Sequence, residues 1–526
     1  MKAAIALCVF GFALAALTAC ELPSRSSATD SEKSGASAAR RGTPTACADL
    51  AAFTFPDTAI TKAETVPAGA FVPPGPPPPQ LSVRPDYSKL PAFCRVAASI
   101  KPTSDSDIRF EVWMPVEGWN GKFMGTGNGG AAGLIFYWNM AGPLARGYAV
   151  ANTDTGHEGT IDDRSFAMGH PEKLTDFAWR AVHEVTVASK AIIAAHYGAQ
   201  ARRAYWNGCS TGGRQGLKEL QRFPEDYDGV IVGAPAAHVS GQNSYSILVQ
   251  RLLTDPKSPL PPAKLPLLKE AAIAACDAKD GVTDRVISEP GKCSFDPASI
   301  QCERGDSSSC LTPAEVAAAR RLYAGVVNPR TGEHVFPGPG PASEPSAAQY
   351  ASSFSIGTSH MRYVVLANPN WDPFTFDFDA DIEKIRAADG GNVDAMDPDM
   401  SAFAARGGKL LLYHGTTDGL VPYLNTVNYY RSVEVKLGSD PTRAHARLFL
   451  VPGLDHCRGG EGAFDIDYVG TLEKWVESGE APNSMLARRP PGGPQFTRPV
   501  CAYPQVPRYK GAGDHSDAAN WECVAK

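Results

Sequence analysis

The sequence predicts an α/β fold in which a mostly parallel sheet is split by one large insertion. Three observations predict it. Gly208-Cys209-Ser210-Thr211-Gly212 has the G-x-S-x-G form of a nucleophile elbow, the sharp strand-to-helix turn that lifts a serine above such a sheet. Strand-like and helix-like segments alternate around it, the pattern of crossover connections. A candidate acid and a candidate base follow the serine in the order Ser, Asp, His, at strand ends late in the chain. Together they specify an α/β-hydrolase core with an inserted lid.

The chain opens with Met1-Lys2 and an apolar run from Ala3 to Ala19, which reads as an export signal over 1–19. Leu17-Thr18-Ala19-Cys20 has the form of a bacterial lipobox, so Cys20 is expected to carry a lipid, and Glu21 after it points to the outer membrane. A plain cleaved signal, with a periplasmic or secreted product, is the rival. Residues 20–46 are rich in Ser, Ala and Arg and read as a flexible tether.

The catalytic core is expected over 47–237 and 406–526. Ile108–Met114 alternates apolar and polar residues like a half-buried strand, Lys122–Gly125 is a shorter candidate, and Tyr148–Thr153 is a third. Phe177–Tyr197 has helical periodicity. Ala204–Asn207 is the strand before the elbow, Gly213–Arg222 the helix after it, and Val230–Ala234 the next strand. Residues 238–405 lose this rhythm and carry Pro-rich segments and four cysteines, as an inserted lid would. The pattern resumes with strands at Lys409–Gly415 and Arg447–Val451 and a closing helix over Tyr468–Glu477.

Composition narrows the function. A net charge of −6 without a Lys/Arg cluster excludes a nucleic-acid partner, and membrane contact is expected only through the lipid anchor. Setting aside Cys8 and Cys20, ten of the twelve cysteines remain, an even number that implies disulfides in an exported chain. Sequence cannot fix their connectivity. Local pairing suggests Cys47–Cys94, Cys276–Cys293, Cys302–Cys310 and Cys501–Cys523, leaving Cys209 with Cys457. No C-x-x-C pair is present, which argues against a zinc site.

A serine hydroxyl needs an imidazole as base, and the imidazole needs a carboxylate to fix its tautomer. Ser210 is the nucleophile by its elbow. Asp418 lies just beyond the buried strand ending at His414-Gly415, where the acid is expected; Asp455, adjacent in sequence to the base, is its rival. His456 follows the last strand as the base, in preference to His414 at a strand end and His515 in a disordered-looking tail. The oxyanion hole requires backbone N–H groups, assigned to Thr211 and to Gly130 of the Gly127-Asn128-Gly129-Gly130 loop. A phosphate cradle is the alternative for that loop, but no Lys-Ser/Thr follows. Between Cys276 and Cys293, the carboxylates of Asp277, Asp280 and Asp284 with the carbonyls of Val282 and Val286 would suit calcium; a solvated acidic turn is the alternative.

These segments together resemble the tannase and feruloyl esterase family, which includes a bacterial mono(2-hydroxyethyl) terephthalate hydrolase. The resemblance rests on Trp119-Asn120-Gly121-Lys122-Phe123, the glycine loop, Gly208–Arg214, the Cys276–Val286 loop, Asn370-Trp371-Asp372-Pro373, His414-Gly415 with Asp418, and His456-Cys457. It implies a serine carboxylesterase acting on small esters of hydroxycinnamic, gallic or terephthalic-type acids. It also implies a disulfide between the cysteines beside serine and histidine, a structural calcium in the acidic loop, and a lid over the aromatic acid. The terephthalate enzyme has an acidic residue where this chain has Thr211 and an aromatic where it has Val421. Arg362 is the candidate for its carboxylate-binding cation. Two other functions share these motifs: a peptidase or amidase, and a non-catalytic surface lipoprotein that binds through a hydrolase fold.

Overall fold

Nine strands form one sheet, and their order follows from what each segment can bury. In this computed structural model, residues 42–75, 85–255, 260–352, 355–389 and 392–525 are described. The strands are β1 (Thr58–Val66), β2 (Phe93–Ile100), β3 (Ile108–Pro115), β4 (Lys122–Thr126), β5 (Ala149–Thr153), β6 (Arg203–Cys209), β7 (Gly229–Gly233), β8 (Lys409–Gly415) and β9 (Ala446–Val451). Their spatial order is β1-β2-β3-β5-β4-β6-β7-β8-β9. From β5 through β4, β6, β7 and β8 to β9 every pairing is parallel, and β1, β2, β3 and β5 pair antiparallel. The central strands are buried along their length and read as near-continuous apolar runs, as a sheet covered on both faces requires. The outer β1 carries Thr, Lys and Glu and is mostly exposed, which suits an edge.

Helices cover the two faces. α1 (Ala181–Tyr197) packs Val182, Val185, Ile192 and Ile193 onto one face with Phe110, Val112 and Leu410. It follows a single wide π turn at Asp176–Arg180, so the expected helix from Phe177 is interrupted at its start, and it ends at Gly198 with φ +64°. α2 (Thr211–Arg222) follows the elbow. On the opposite face, Leu472 and Trp475 of the closing helix meet Tyr205, Ile231 and Leu411.

The insertion builds a core of its own. Its longest helix, α3 (Val239–Thr254), contributes Tyr245, Ile247 and Val249, which pack with Leu265, Val316, Leu322, Phe336, Tyr350 and Ile385. Phe177, Ala178 and Leu420 join that core to the sheet domain.

Two expectations change. Residues 42–46 are not a free tether: Gly42 N–H donates to Gly198 O at 2.9 Å and Thr45 N–H to Ala195 O at 2.9 Å, docking the segment on the end of α1. The tail around His515 is ordered, because Ser484–Arg488 pairs with Thr497–Cys501, and Val506–Tyr509 with Trp521–Val524. The signal segment, Cys20 and residues 20–41 of the tether lie outside the described residues. No helix among the described residues is long and apolar enough to cross a membrane. Disulfides join Cys47–Cys94, Cys209–Cys457, Cys276–Cys293, Cys302–Cys310 and Cys501–Cys523.

Candidate active site

The parallel strands point their C-terminal ends at one cleft, where α/β sheets place ligands. β6 buries Ala204, Tyr205 and Trp206 and then turns at Ser210, whose φ of 62° and ψ of −123° a side-chain-bearing residue rarely adopts. Such strain costs about 1–3 kcal/mol and persists only where surroundings enforce it. Here Ser210 N–H donates to Gly233 O at 2.9 Å, and Ser210 O accepts from Arg214 N–H at 3.0 Å and Ala236 N–H at 3.2 Å. The glycines permit close approach: a Cβ at Gly212 would sit 2.9 Å from Gly127 Cα.

β8 and β9 supply the partners. His456 Nδ1 lies 2.7 Å from Asp418 Oδ2. That contact puts the proton on Nδ1 and leaves Nε2 as the basic nitrogen. Asp455 turns away and accepts from the Thr417 hydroxyl at 2.8 Å. Asp418 is fully buried. Its Oδ1 accepts from Leu420 N–H at 2.9 Å and Val421 N–H at 2.8 Å, and its Oδ2 also meets His414 Nε2 at 3.1 Å. Burial pushes its carboxyl up, but the neighbouring His456 charge and the hydrogen bonds from His414 and His456 outweigh this and hold it well below the usual range. His414 is itself pinned, with Nδ1 2.7 Å from Thr426 Oγ1 and Nε2 2.7 Å from Val421 O. A proton on Nε2 can donate to both Asp418 Oδ2 and Val421 O. His414 thus positions the acid. Its sequence signal, a histidine four residues before Asp418, also fits an ordinary strand end.

The glycine loop is locked to α2. Gln215 Oε1 accepts from Asn128 N–H at 3.0 Å, and its Nε2 donates to Asn128 Oδ1 at 3.1 Å. The Thr211 hydroxyl donates to Gly130 O at 2.6 Å. Gly130 has φ +55°, and any Cβ there would collide with Ile161 O. Thr211 and Gly130, the two assigned oxyanion residues, are therefore held side by side. Gln215 carries no motif signal, so the sequence did not single it out.

The sequence profile of the tannase and feruloyl esterase family matches residues 94–524. An uncharacterized esterase of Xanthomonas campestris pv. campestris is 36% identical, covering 91% of each chain. A probable feruloyl esterase B-2 of Aspergillus terreus is 34% identical over 82% of this chain and 86% of its own. Among solved structures, feruloyl esterase B from Aspergillus oryzae superposes with a TM-score of 0.83 at 29% identity, covering 91% of this chain and 99% of its own. Tannin acyl hydrolase from Aspergillus niger shares the fold, with a TM-score of 0.75 at 23% identity over 92% and 97% of the two chains. The chain belongs to the tannase and feruloyl esterase family. It is a carboxylic ester hydrolase.

The esterase cleft holds about 1960 Å³. Ser210 and His456 line it with Cys209, Cys457, Asn128 and Gly130. One wall is aromatic, from Phe136, Tyr137 and Trp138. The insertion contributes Pro345, Ser346 and Gln349. Arg362 is not among the lining residues, and its Nε donates to Trp371 O at 2.9 Å within the insertion. Among the described residues, Arg109 and Arg458 are the arginines that line the cleft.

The acidic loop is folded around its own carboxylates. Asp277 accepts from the N–H groups of Asp284 at 3.3 Å and Arg285 at 2.9 Å, Asp280 from Val282 N–H at 3.0 Å, and Asp284 from Val286 N–H at 3.1 Å. Arg498 of the tail reaches Asp284 Oδ2 at 2.5 Å. Asp280 Oδ2 is buried and accepts no well-formed hydrogen bond. Burial pushes the Asp280 carboxyl up to about 6, opposed by the Ser288 hydroxyl and Val282 N–H and reinforced by repulsion from Asp284 and Asp277. Burial likewise raises Asp277. This donor set fits a hard cation. The loop also touches the segment carrying His456, since Arg285 pairs with Glu461 at 2.7 Å, as does Lys269 of the helix before the loop at 2.6 Å.

Proposed function

We propose that the esterase is a serine enzyme that cleaves small esters of aromatic acids, of the hydroxycinnamic or gallic kind, through an acyl-enzyme. The observation that carries this reading is the His456–Asp418 contact in a cleft that also holds Ser210 on a strained elbow. His456 Nε2 takes the Ser210 proton as Oγ attacks the ester carbonyl. Asp418 stabilises the imidazolium that forms and keeps its orientation. The Thr211 and Gly130 N–H groups receive the developing oxyanion. The imidazolium then protonates the departing alcohol, and water repeats the sequence on the acyl-serine. The disulfide from Cys209 to Cys457 limits relative drift of the elbow and the base loop, which matters because displacements near 1 Å are costly.

The aromatic wall supports an aromatic acyl group, as do the feruloyl esterase names of the relatives. Arg362, the cation expected for a terephthalate carboxylate, is not among the residues lining the cleft, where the arginines are Arg109 and Arg458. Calcium held by Asp277, Asp280 and Asp284 with the Val282 and Val286 carbonyls would neutralise the acidic loop and fix the segments packed on it. The five disulfides suit an exported enzyme. A panel of methyl ferulate, methyl gallate, the terephthalate monoester and an aromatic amide tests the reading. Turnover of the first two should exceed the last two by at least about tenfold in kcat/KM, which corresponds to 1.4 kcal/mol. Preference for the amide or for the terephthalate monoester would overturn it.

A further inference from the structure

Away from the cleft, three side chains converge where α1 crosses the end of α2. His183 comes from α1, Glu219 from the last turns of α2, and Asp226 from the turn leading to β7. One ligand atom from each lies within 4.8 Å of the others. His183 Nδ1 is 2.7 Å from Asp226 Oδ2, and its ring stacks on Phe223 with centroids 3.6 Å apart. Glu219 is 1% exposed, and among the described residues no N–H or hydroxyl donates to either of its carboxylate oxygens, whose polar neighbour is the Asp226 carboxyl. A carboxylate so placed needs a proton or a cation. The charged and titratable groups facing it are Asp226, Lys190, Glu225 and Tyr227. Lys190 is spent on Asp226, donating to its backbone O at 2.5 Å and lying 3.5 Å from its Oδ1. One ammonium therefore faces two buried acids.

We propose that His183, Glu219 and Asp226 bind one zinc ion. An imidazole nitrogen with two carboxylate oxygens is a donor set for zinc, whereas calcium and magnesium take oxygen ligands almost exclusively. Zinc–ligand bonds of about 2.0–2.2 Å require the His183–Asp226 contact to open to roughly 3.4 Å, a side-chain adjustment. His183 keeps 21% of its side chain exposed, which gives the ion a path and a water as fourth ligand. The absence of C-x-x-C argues only against a thiolate site, and every cysteine from Cys47 to Cys523 is in a disulfide. Ligands spread over two helices and a turn leave no sequence motif. None of the three lines the cleft, so the ion would brace α1 against the nucleophile helix rather than activate water.

The test uses the full chain, stripped with chelator, returned to calcium-containing buffer and dialysed against micromolar zinc chloride. Bound zinc is measured by elemental mass spectrometry and stability by thermal melting. About one equivalent should be retained, with the Tm rising by several degrees when zinc is near 100 Kd. Glu219→Gln keeps the shape of the buried side chain, and His183→Phe keeps the stack on Phe223. Each should lower zinc affinity by at least about tenfold. If Glu219→Gln does not fold, His183→Phe, at a position that is not fully buried, carries the test alone. The proposal is overturned if the parent protein retains no zinc, or if His183→Phe binds it as the parent does. A parent without zinc and a fully stable Glu219→Gln would instead show that Glu219 and Asp226 share a proton.

Discussion

Asp418 and Asp280 are both carboxylates drawn away from water, yet their surroundings leave them in opposite conditions. Asp418 accepts from two backbone N–H groups, from His414 and from His456, and its carboxyl is held well below the ordinary range. Asp280 accepts one backbone N–H, leaves Oδ2 without a well-formed bond, and is pushed up to about 6. The first carboxylate is saturated by the chain and can serve as a fixed charge for catalysis. The second is short of donors, which is the condition a cation relieves. Sequence spacing alone does not separate these cases; the count of donors around each oxygen does.

Substitutions at the two positions should therefore differ in kind. Asp418→Asn should cut kcat by about 10³–10⁴-fold, because the wrong imidazole tautomer is then favoured. Ser210→Ala should lose on the order of 10³-fold or more with the fold retained, and His456→Ala should match it. Asp280→Asn should leave kcat within about tenfold while abolishing calcium binding, read by calorimetry and thermal melting. An Asp280→Asn loss equal to that of Asp418→Asn would collapse the distinction.

Chelation comes next in size. If calcium fills the loop, its removal should lower Tm by several degrees, the effect expected of a ligand present near 100 Kd. Activity should also fall, through His456 rather than through a lid. Arg285 couples the acidic loop to Glu461, five residues beyond His456, and Lys269 of the helix before the loop pairs with the same carboxylate. That coupling was not legible in the sequence, which placed the loop far from the triad. Protons should compete with the ion. The calcium-dependent rise in Tm should be larger at pH 8 than at pH 5, where Asp280 takes up a proton near 6. Asp418 runs the other way: its folded-state pKa is depressed, so its contribution is complete above the unfolded carboxylate range near 4. It is lost only as the pH falls through the lower folded value. Acid inactivation near pH 5 with calcium saturating would therefore not come from Asp418.

The smallest effects sharpen the same contrast. Replacing Cys209 and Cys457 together by Ala should lower kcat more than it raises KM, since the disulfide ties the loops bearing Ser210 and His456 to each other. Asp455→Asn, whose amide oxygen can still accept from the Thr417 hydroxyl, should change kcat by no more than a few-fold.

The parallel half of the fold was legible because its strands are apolar runs punctuated by turn residues: the segments around β6, β7, β8 and β9 all stand out. β1 and β2 were not singled out. β1 is an exposed edge with Lys62 and Glu64 on it, so the apolar signal of a buried strand is missing. The candidates chosen from chain order and strand ends come together: Ser210 and His456 lie at one cleft, with His456 against Asp418. The groups that hold them could not be chosen that way. His414 and Gln215 act through side-chain geometry at positions with no required residue pattern. Arg362 shows the same limit: cationic character can be read from sequence, but its place relative to the cleft and its bond to the Trp371 carbonyl cannot.

The central claim is that Ser210, made nucleophilic by His456 against Asp418, carries the acyl group. A fluorophosphonate that reacts only with activated serines tests it most directly, followed by intact mass measurement and peptide mapping. The account predicts about one adduct per chain, located on Ser210, with activity lost in proportion and with labelling slowed by at least about 10²-fold in His456→Ala. An adduct on any other residue, or ester hydrolysis that survives complete labelling of Ser210, would contradict it.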